Sequence, residues 1–377
     1  MRFIFFGRLE QEKGFDILLK AMERLHHKHL FLIFGQGSLR ENLLKQNFPI
    51  NDLSTLQDEE ILRGTLAQTG VFFFGFRDFE KVIAKFLQNK VDCNLMPSKF
   101  LETFGFSALE SLKFAIPTIA PNKGGLRDLI FGEYALREAS DIALIESIEN
   151  FQLPTPALKI LFNKKLQNFS AESFHANLQK ILPPNTKKII LVSDYSEKIG
   201  GTEIHIAKLQ KLLQESNFQV ENFFGKEKGK VQFFDFIKQI IRPKTAKKLQ
   251  AKIDQFQPDL IWCHSISRVL GKRAISRITN SKAYKIITHH DLALFSLYPS
   301  KIESETAITT ELDFQSLLQT TPNLTLSQKA FGFLKYLFII KPIRKLLKKF
   351  DQQIIISNFM KKLFPPEYQT TQLPHFF

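Results

Sequence analysis

Cysteine is nearly absent from this chain of 377 residues: Cys93 and Cys263 are the two, one in each half. Two thiols so far apart make no disulfide framework, which excludes a stapled secreted scaffold and points to a reducing compartment. No run of about 18 apolar residues occurs, so no segment reads as membrane-spanning. The chain does not open on a charged stretch followed by an apolar core, so no secretory signal is read and a cytoplasmic location is expected. The first half has no Asp-x-Asp pair, and a bound metal is therefore not expected. No Ser-His-Asp order and no convincing context for a nucleophilic cysteine appears. Short-period repeats and low-complexity segments are also missing, and tryptophan occurs once.

What is present is ordinary in bulk and uneven in detail. Apolar content of 44% and charged content of 24% fit a globular chain long enough for two domains. Phenylalanine is overused, at 39 residues, and reads as compositional bias rather than chemistry. Residues 1–183 hold 22 Lys and Arg against 21 Asp and Glu, whereas residues 184–377 hold 30 against 16, so nearly all of the +15 net charge lies in the second half. A domain with that excess fits either an anionic partner (a membrane surface, a phosphorylated lipid or nucleic acid) or a solvated lysine-rich surface.

Both halves alternate strand-like apolar runs with helix-length amphipathic segments. That pattern predicts an α/β fold: two Rossmann-like, doubly wound parallel-sheet domains. The first domain spans 1–183 and ends in a helix from Ala171 to Leu182, broken by Pro183-Pro184. The second spans 187–377, with strands expected at Lys188–Ser193, Phe218–Phe224, Leu260–Cys263, Lys285–Thr288 and Gln353–Ile356. A glycine turn at Gly200-Gly201 precedes a helix from Ile204 to Gln214. Residues 300–328 are polar, rich in Thr and Gln, and read either as a loop or as extra helices.

The most informative run is Ser98-Lys99-Phe100-Leu101-Glu102-Thr103-Phe104-Gly105-Phe106-Ser107-Ala108-Leu109-Glu110. It fits a loop that swings into a helix start beside a ligand, with Gly105 allowing close backbone approach and helical N–H groups from about Ser107 facing an anion. Glu102 would sit in the loop and Glu110 on the first helical turns. Around it stand Gly7-Arg8-Leu9 and Glu12-Lys13-Gly14 after the strand Phe3–Phe6, Gly35-Gln36-Gly37 after Leu30–Phe34, Gly75 after Val71–Phe74, and Gly124-Gly125 after Thr118–Ala120. In order and spacing this set resembles the donor-binding half of the family-4 retaining glycosyltransferases of the GT-B fold.

The second half is similar, through looser motifs, to the acceptor-side half of the same family: Ile199-Gly200-Gly201-Thr202-Glu203, Pro258 to Ser265, His290-Asp291-Leu292 and Ile355-Ile356-Ser357. In that family the acceptor domain comes first; here the donor-side half leads. Either the chain is circularly permuted or its halves belong to neighbouring enzymes of a tandem.

The resemblance implies roles. Arg8 and Lys13 would face the diphosphate of a nucleotide sugar, Glu102 the transferred sugar and Glu110 the ribose. Ser98 and the backbone of Phe104, Gly105 and Phe106 would line the donor phosphates. Gly35 and Gly37 either pass near the base or form an ordinary turn. Gly200 and Gly201 would approach the donor phosphates. His290 and Asp291 would stand on the acceptor side, where a structural histidine is the competing reading; His264 reads as buried.

The implied activity is retaining transfer of a hexose to a hydroxyl of a glycan or lipid-linked acceptor, with no cofactor or metal beyond the donor substrate and with nucleic acid not the expected partner. The alternatives are a fragment that binds nucleotide sugar without transferring it and, with no specific motif behind it, a nucleotide-sugar epimerase. Residues Lys329–Phe350 mix aromatic and aliphatic residues with lysines. They read as a core-packing helix ahead of the strand at Gln353, with a helix lying on an anionic inner membrane face as the alternative.

Overall fold

The structure is a computed structural model describing the chain apart from residues 197–200, 227–242, 306–312, 322, 365–367, 369 and 377. Two compact units divide it: Met1–Ser170 with Glu303–Glu305, and Ala171–Ile302 with Thr306–Phe376. Both are parallel-sheet α/β domains, as the alternating pattern predicts.

The first unit is built on β1 (Arg2–Phe6), β2 (Leu30–Phe34), β3 (Ile50–Asp52), β4 (Gly70–Gly75), β5 (Cys93–Leu95), β6 (Thr118–Pro121) and β7 (Ala135–Leu136). All pair in parallel, in the order β3-β4-β2-β1-β5-β6-β7. A sheet covered on both faces needs strands that are apolar throughout, which is why Phe3–Phe6 and Leu30–Phe34 show no polar alternation. Phe3, Phe5, Phe31, Ile33 and Phe73 point to one face, against Phe15, Leu18 and Met22 of the helix Phe15–Leu25. Ile4, Phe6, Leu32, Phe34 and Phe74 point to the other, against Phe86 and Leu87. Phe34 and Phe74 stack with ring centroids 4.5 Å apart, and Phe86 meets each edge-on at 5.2 Å. Many of the abundant phenylalanines are thus core filler, each contributing about 1.5–3 kcal/mol when fully buried.

The second unit pairs β8 (Lys188–Tyr195), β9 (Gln219–Lys226), β10 (Leu260–Cys263), β11 (Tyr284–His289), β12 (Gln352–Ile355) and β13 (Thr370–Gln372) in the order β13-β12-β11-β10-β8-β9, again all parallel. The sequence reading placed the first five within two residues of their ends and missed β13, whose three polar residues carry no strand pattern. The helix expected from Ala171 to Leu182 at the end of the first domain runs from Ala171 to Ile181. Its Phe174, Leu178 and Ile181 instead pack with Leu191, Trp262 and Phe376 in the second unit's core. Within 300–328 the described residues include a helix, Phe314–Gln319, whose first turn is capped by Asp313.

The stretch from Leu326 onward is one helical run. It passes from Leu326–Lys335 through a wide turn at Tyr336–Ile340 into Lys341–Leu347. The wide turn, closed by Lys341 N–H donating to Tyr336 O, precedes Pro342, which has no N–H to give and would otherwise break the ladder. Among the described residues no helix is long and apolar enough to cross a membrane.

Each sheet has one switch point. In the first unit the chain leaves β1 toward β2 and later returns to β5 on the other side of β1. The loops after β1 and β5 stand at this reversal, the place where open parallel sheets bind ligands. In the second unit the same reversal falls between β8 and β10.

Candidate functional site

The loop after β1 and the loop after β5 bring Lys13 and Glu102 together across 89 positions of sequence. Lys13 Nζ lies 2.5 Å from Glu102 Oε1, and Ser98 Oγ donates to the same oxygen at 3.0 Å. Glu102 is only 7% exposed and Ser98 is fully buried. A carboxylate this deep is costly unless paired, and here one cation and one hydroxyl share its inner oxygen. The Lys13 ammonium also sits 4.9 Å from the centre of the Phe100 ring.

Two glycine positions make this meeting possible. Gly14, with φ of 70°, lies so close to the second loop that a Cβ would fall 1.9 Å from Pro97 O. On the other side of Glu102, Gly124-Gly125 pack under its backbone. Gly125 N–H donates to Glu102 O at 2.7 Å, and a Cβ on Gly125 would fall 2.2 Å from Thr103 O. The paired glycines are thus a seat for the Glu102 loop, a packing reason that the sequence pattern alone did not reveal.

Other cations stand on these loops and on the one after β6. Arg8 is more than half exposed and bonds Glu12, four residues along, at 2.9 Å. Lys99, beside Ser98, pairs with Asp16 at 2.5 Å, and Lys123 donates to Lys99 O from a half-buried position whose desolvation lowers its pKa. The sequence reading missed Lys99, Lys123 and their partners. Adjacency to Ser98 and Gly124 was the only signal for them.

Downstream, Gly105 has φ of 101° and precedes the short helix Phe106–Leu112, one residue earlier than expected. Phe104 is a core residue, its ring 5.3 Å from Phe106 and 5.9 Å from Phe169. Glu110 lies on the helix, half-buried. Gly35 and Gly37 have a local explanation. A Cβ on Gly35 would fall 1.8 Å from Gly7 O and one on Gly37 2.3 Å from Leu9 O, so these glycines let two loops cross.

In the second unit Gly200 lies outside the described residues, and Gly201 begins the helix Gly201–Glu215. His290, at the end of β11, is buried. Its Nε2 lies 2.9 Å from His264 Nδ1 and its Nδ1 3.3 Å from His375 Nε2. His205 closes the cluster, its ring centre 4.1 Å from that of His375. Burial pushes all four imidazoles down, His290 to about 3. Neutral rings, each offering one donor and one acceptor, can make both bonds of the His264–His290–His375 chain.

His289, one residue earlier, faces the opposite way and bonds Gln353 Oε1 at 2.9 Å. Asp291 pairs with Arg268 at 3.1 Å. The crevice beside His264 and His290 measures about 20 Å³, room for a single water. His264 is buried, as its sequence context implied. Asp194, unnoticed in the sequence, accepts backbone N–H bonds from Arg268, Val269 and Leu270 at 2.7–2.9 Å and fixes the turn after β10. Both cysteines are buried and their thiols are raised by desolvation, which makes neither a nucleophile.

Fold and site together define a doubly wound parallel-sheet domain with a cation–carboxylate pair at its switch point. The stretch that holds this pair, residues 2–149, matches the family of glycosyl transferases group 1. Over 129 residues the chain is 28% identical to an uncharacterized glycosyltransferase of Methanocaldococcus jannaschii, a match covering 34% of this chain and 28% of that protein. Over 130 residues it is 29% identical to a glycogen synthase of Mycobacterium tuberculosis, covering 34% and 27%. The match thus spans less than a third of either relative. Among solved structures, an Anabaena protein, HepE, in complex with UDP and glucose aligns at 18% identity and a TM-score of 0.36, covering 48% of this chain and 47% of that one. The catalytic domain of a cholesterol-α-glucosyltransferase from Helicobacter pylori aligns at 14% identity and a TM-score of 0.29, covering 45% and 97%.

Proposed function

We propose that the chain transfers a hexose from a nucleotide-diphosphate sugar to a hydroxyl of a glycan or lipid-linked acceptor, with retention of anomeric configuration. The observation that carries this reading is the Lys13–Glu102 pair at the first unit's switch point, inside the stretch that matches the glycosyl transferase family. In this reading Lys13, with Arg8, faces the donor diphosphate, where negative charge grows as the sugar leaves. Glu102 is held through Oε1 by Lys13 and Ser98, and its other oxygen accepts sugar hydroxyls. Glu110 takes the ribose, and the backbone of Phe104 to Phe106 lines the phosphates. Gly35 and Gly37 shape the loop crossing after β1 and β2.

The bond between the anomeric carbon and the phosphate oxygen breaks, and the bond to the acceptor oxygen forms on the same face. The acceptor's proton passes to the departing phosphate oxygen, so no strong side-chain base is needed. Because Lys13 and Arg8 supply the positive charge, no metal is assigned to the step.

A second reading is a module that binds nucleotide sugar without transferring it. What favours it is the burial of His290, hydrogen-bonded in line with His264 and His375 rather than presented to a hydroxyl.

Calorimetry with free nucleoside diphosphates tests the division of labour. Glu110→Gln is expected to weaken nucleotide binding about tenfold, the loss of one charge-assisted hydrogen bond. Glu102→Gln is expected to leave binding within about threefold while abolishing most turnover. Equal losses of affinity in both variants would reject these roles.

A further inference from the structure

The helical run from Leu326 to Leu347 has two faces with different destinations. Ile339, Ile340, Ile343 and Leu347 are buried. Lys335 also turns inward, its ammonium donating to Leu297 O at 2.6 Å. Core packing, the reading the sequence favoured, thus accounts for one side.

The other side faces solvent. Leu326, Phe333, Leu334, Leu337 and Phe338 recur at helical spacing and are 86%, 43%, 45%, 36% and 48% exposed. Lys341, Lys345, Lys348 and Lys349 continue the same exposed surface beyond them. No Asp or Glu occurs anywhere from Leu326 to Phe350.

Beside this face runs a groove of about 680 Å³, walled by Leu337 and Phe338 on one side and by the exposed cations Lys247, Lys272, Arg273 and Arg277 on the other. No acidic residue lines it, and none of the four cations pairs with a carboxylate among the described residues.

We propose that this face is a membrane-docking surface: Phe333, Leu334, Leu337 and Phe338 enter the headgroup region of a bilayer, while the groove's cations hold the phosphates of its anionic lipids. Apolar residues flanked by exposed lysines and arginines suit an interface between water, phosphate and acyl chains. They suit a protein partner poorly, since lysine is depleted in such interfaces. A second copy of the chain would bring like charges face to face. Among the described residues no helix is long and apolar enough to cross a bilayer, and the proposed contact is with its surface.

The test is flotation of the full chain with vesicles of phosphatidylcholine alone or with about one third phosphatidylglycerol, at low and high salt. Binding is read without any sugar substrate, so its failure and a failure of the transfer reading are separate results. The protein is expected to float with the anionic vesicles, at least about tenfold more tightly than with neutral ones, and to be released by salt. Arg273→Ala/Arg277→Ala is expected to weaken binding about 25-fold, from about fivefold per surface charge. Leu337→Asp/Phe338→Asp is expected to abolish it.

All four positions are at least partly exposed, and an unchanged circular-dichroism melt checks that the variants fold. Equal binding to neutral vesicles, no binding to anionic ones, or undiminished binding by both variants would overturn the proposal. So would a stable dimer that Leu337→Asp/Phe338→Asp dissociates, because the face would then belong to a second copy.

Discussion

Replacing Lys13 by alanine is expected to cut sugar transfer by about 10²- to 10³-fold, the loss seen when a fixed group that stabilises transition-state charge is removed. The ammonium stands at the switch point, on a loop that Gly14 presses against Pro97, so it is held in place before any ligand arrives. Removing it has a second consequence. Glu102 keeps Ser98 but loses its cation at 2.5 Å, and a buried carboxylate without its partner costs several kcal/mol. The two effects separate in a double-mutant cycle. If Lys13 served only to neutralise Glu102, Lys13→Ala would lower the thermal melt, Lys13→Ala/Glu102→Gln would restore it, and both would bind free nucleoside diphosphate as the wild type does. The diphosphate role predicts that both variants also bind nucleoside diphosphate more weakly, a loss that Glu102→Gln alone does not show. Near wild-type turnover in Lys13→Ala would remove the role outright. Arg8, exposed and shared with Glu12, is expected to show a smaller loss.

Acid is expected to unfold the second unit well before it affects the first. His205, His264, His289, His290 and His375 are all buried and all pushed down by desolvation, His289 to about 4 and His290 to about 3. A histidine whose folded pKa is depressed leaves stability unchanged above about pH 6.5, where neither state is protonated. Between 6.5 and its folded pKa only the unfolded chain takes up the proton, so stability falls as pH falls, by about 1.4 kcal/mol per pH unit per histidine.

Asp194 works the other way. Burial raises it to about 6, so the folded state binds its proton first and gains stability as pH drops from about 6 toward 3.8. One aspartate opposes five histidines, and the nearby charges do not reverse the sum: Asp291 raises His290, while Lys208 lowers His205 further. Protonating two neighbouring rings of the His264–His290–His375 chain would also set donor against donor.

Trp262, the single tryptophan, lies on β10 in this core, its ring 5.7 Å from that of His264, so its fluorescence reports this unit alone. Its urea midpoint is expected to fall steeply between pH 6.5 and 4. A midpoint that is flat over that range would contradict the burial of neutral imidazoles.

The architecture was readable because apolar runs such as Phe3–Phe6 and Leu30–Phe34 declare strands buried on both faces, and the glycine turns mark where they end. What could not be read was whatever depends on which distant segments meet. Lys13 and Glu102 entered as separate motif residues through a family resemblance; no periodicity says that a hydrogen bond joins them. His205, His264, His290 and His375 come from a helix, two strand ends and the segment after β13, and their convergence has no local signature. The helix Ala171–Ile181 carries a normal amphipathic pattern, and that pattern cannot say which of two cores its Phe174 enters. Gly124-Gly125 entered only as a motif pair after Thr118–Ala120, and its reason is the backbone of Glu102 lying against it.

The central claim is tested most directly by following labelled sugar from a panel of nucleotide sugars, with glycan and lipid-linked acceptors and a divalent chelator present. The account predicts that one donor gives labelled acceptor and nucleoside diphosphate in equal amounts, that neither forms without acceptor beyond slow hydrolysis, and that the chelator changes nothing. Nucleotide that binds but is never converted, for any donor and acceptor, would contradict the transfer reading and leave the first unit as a binding module.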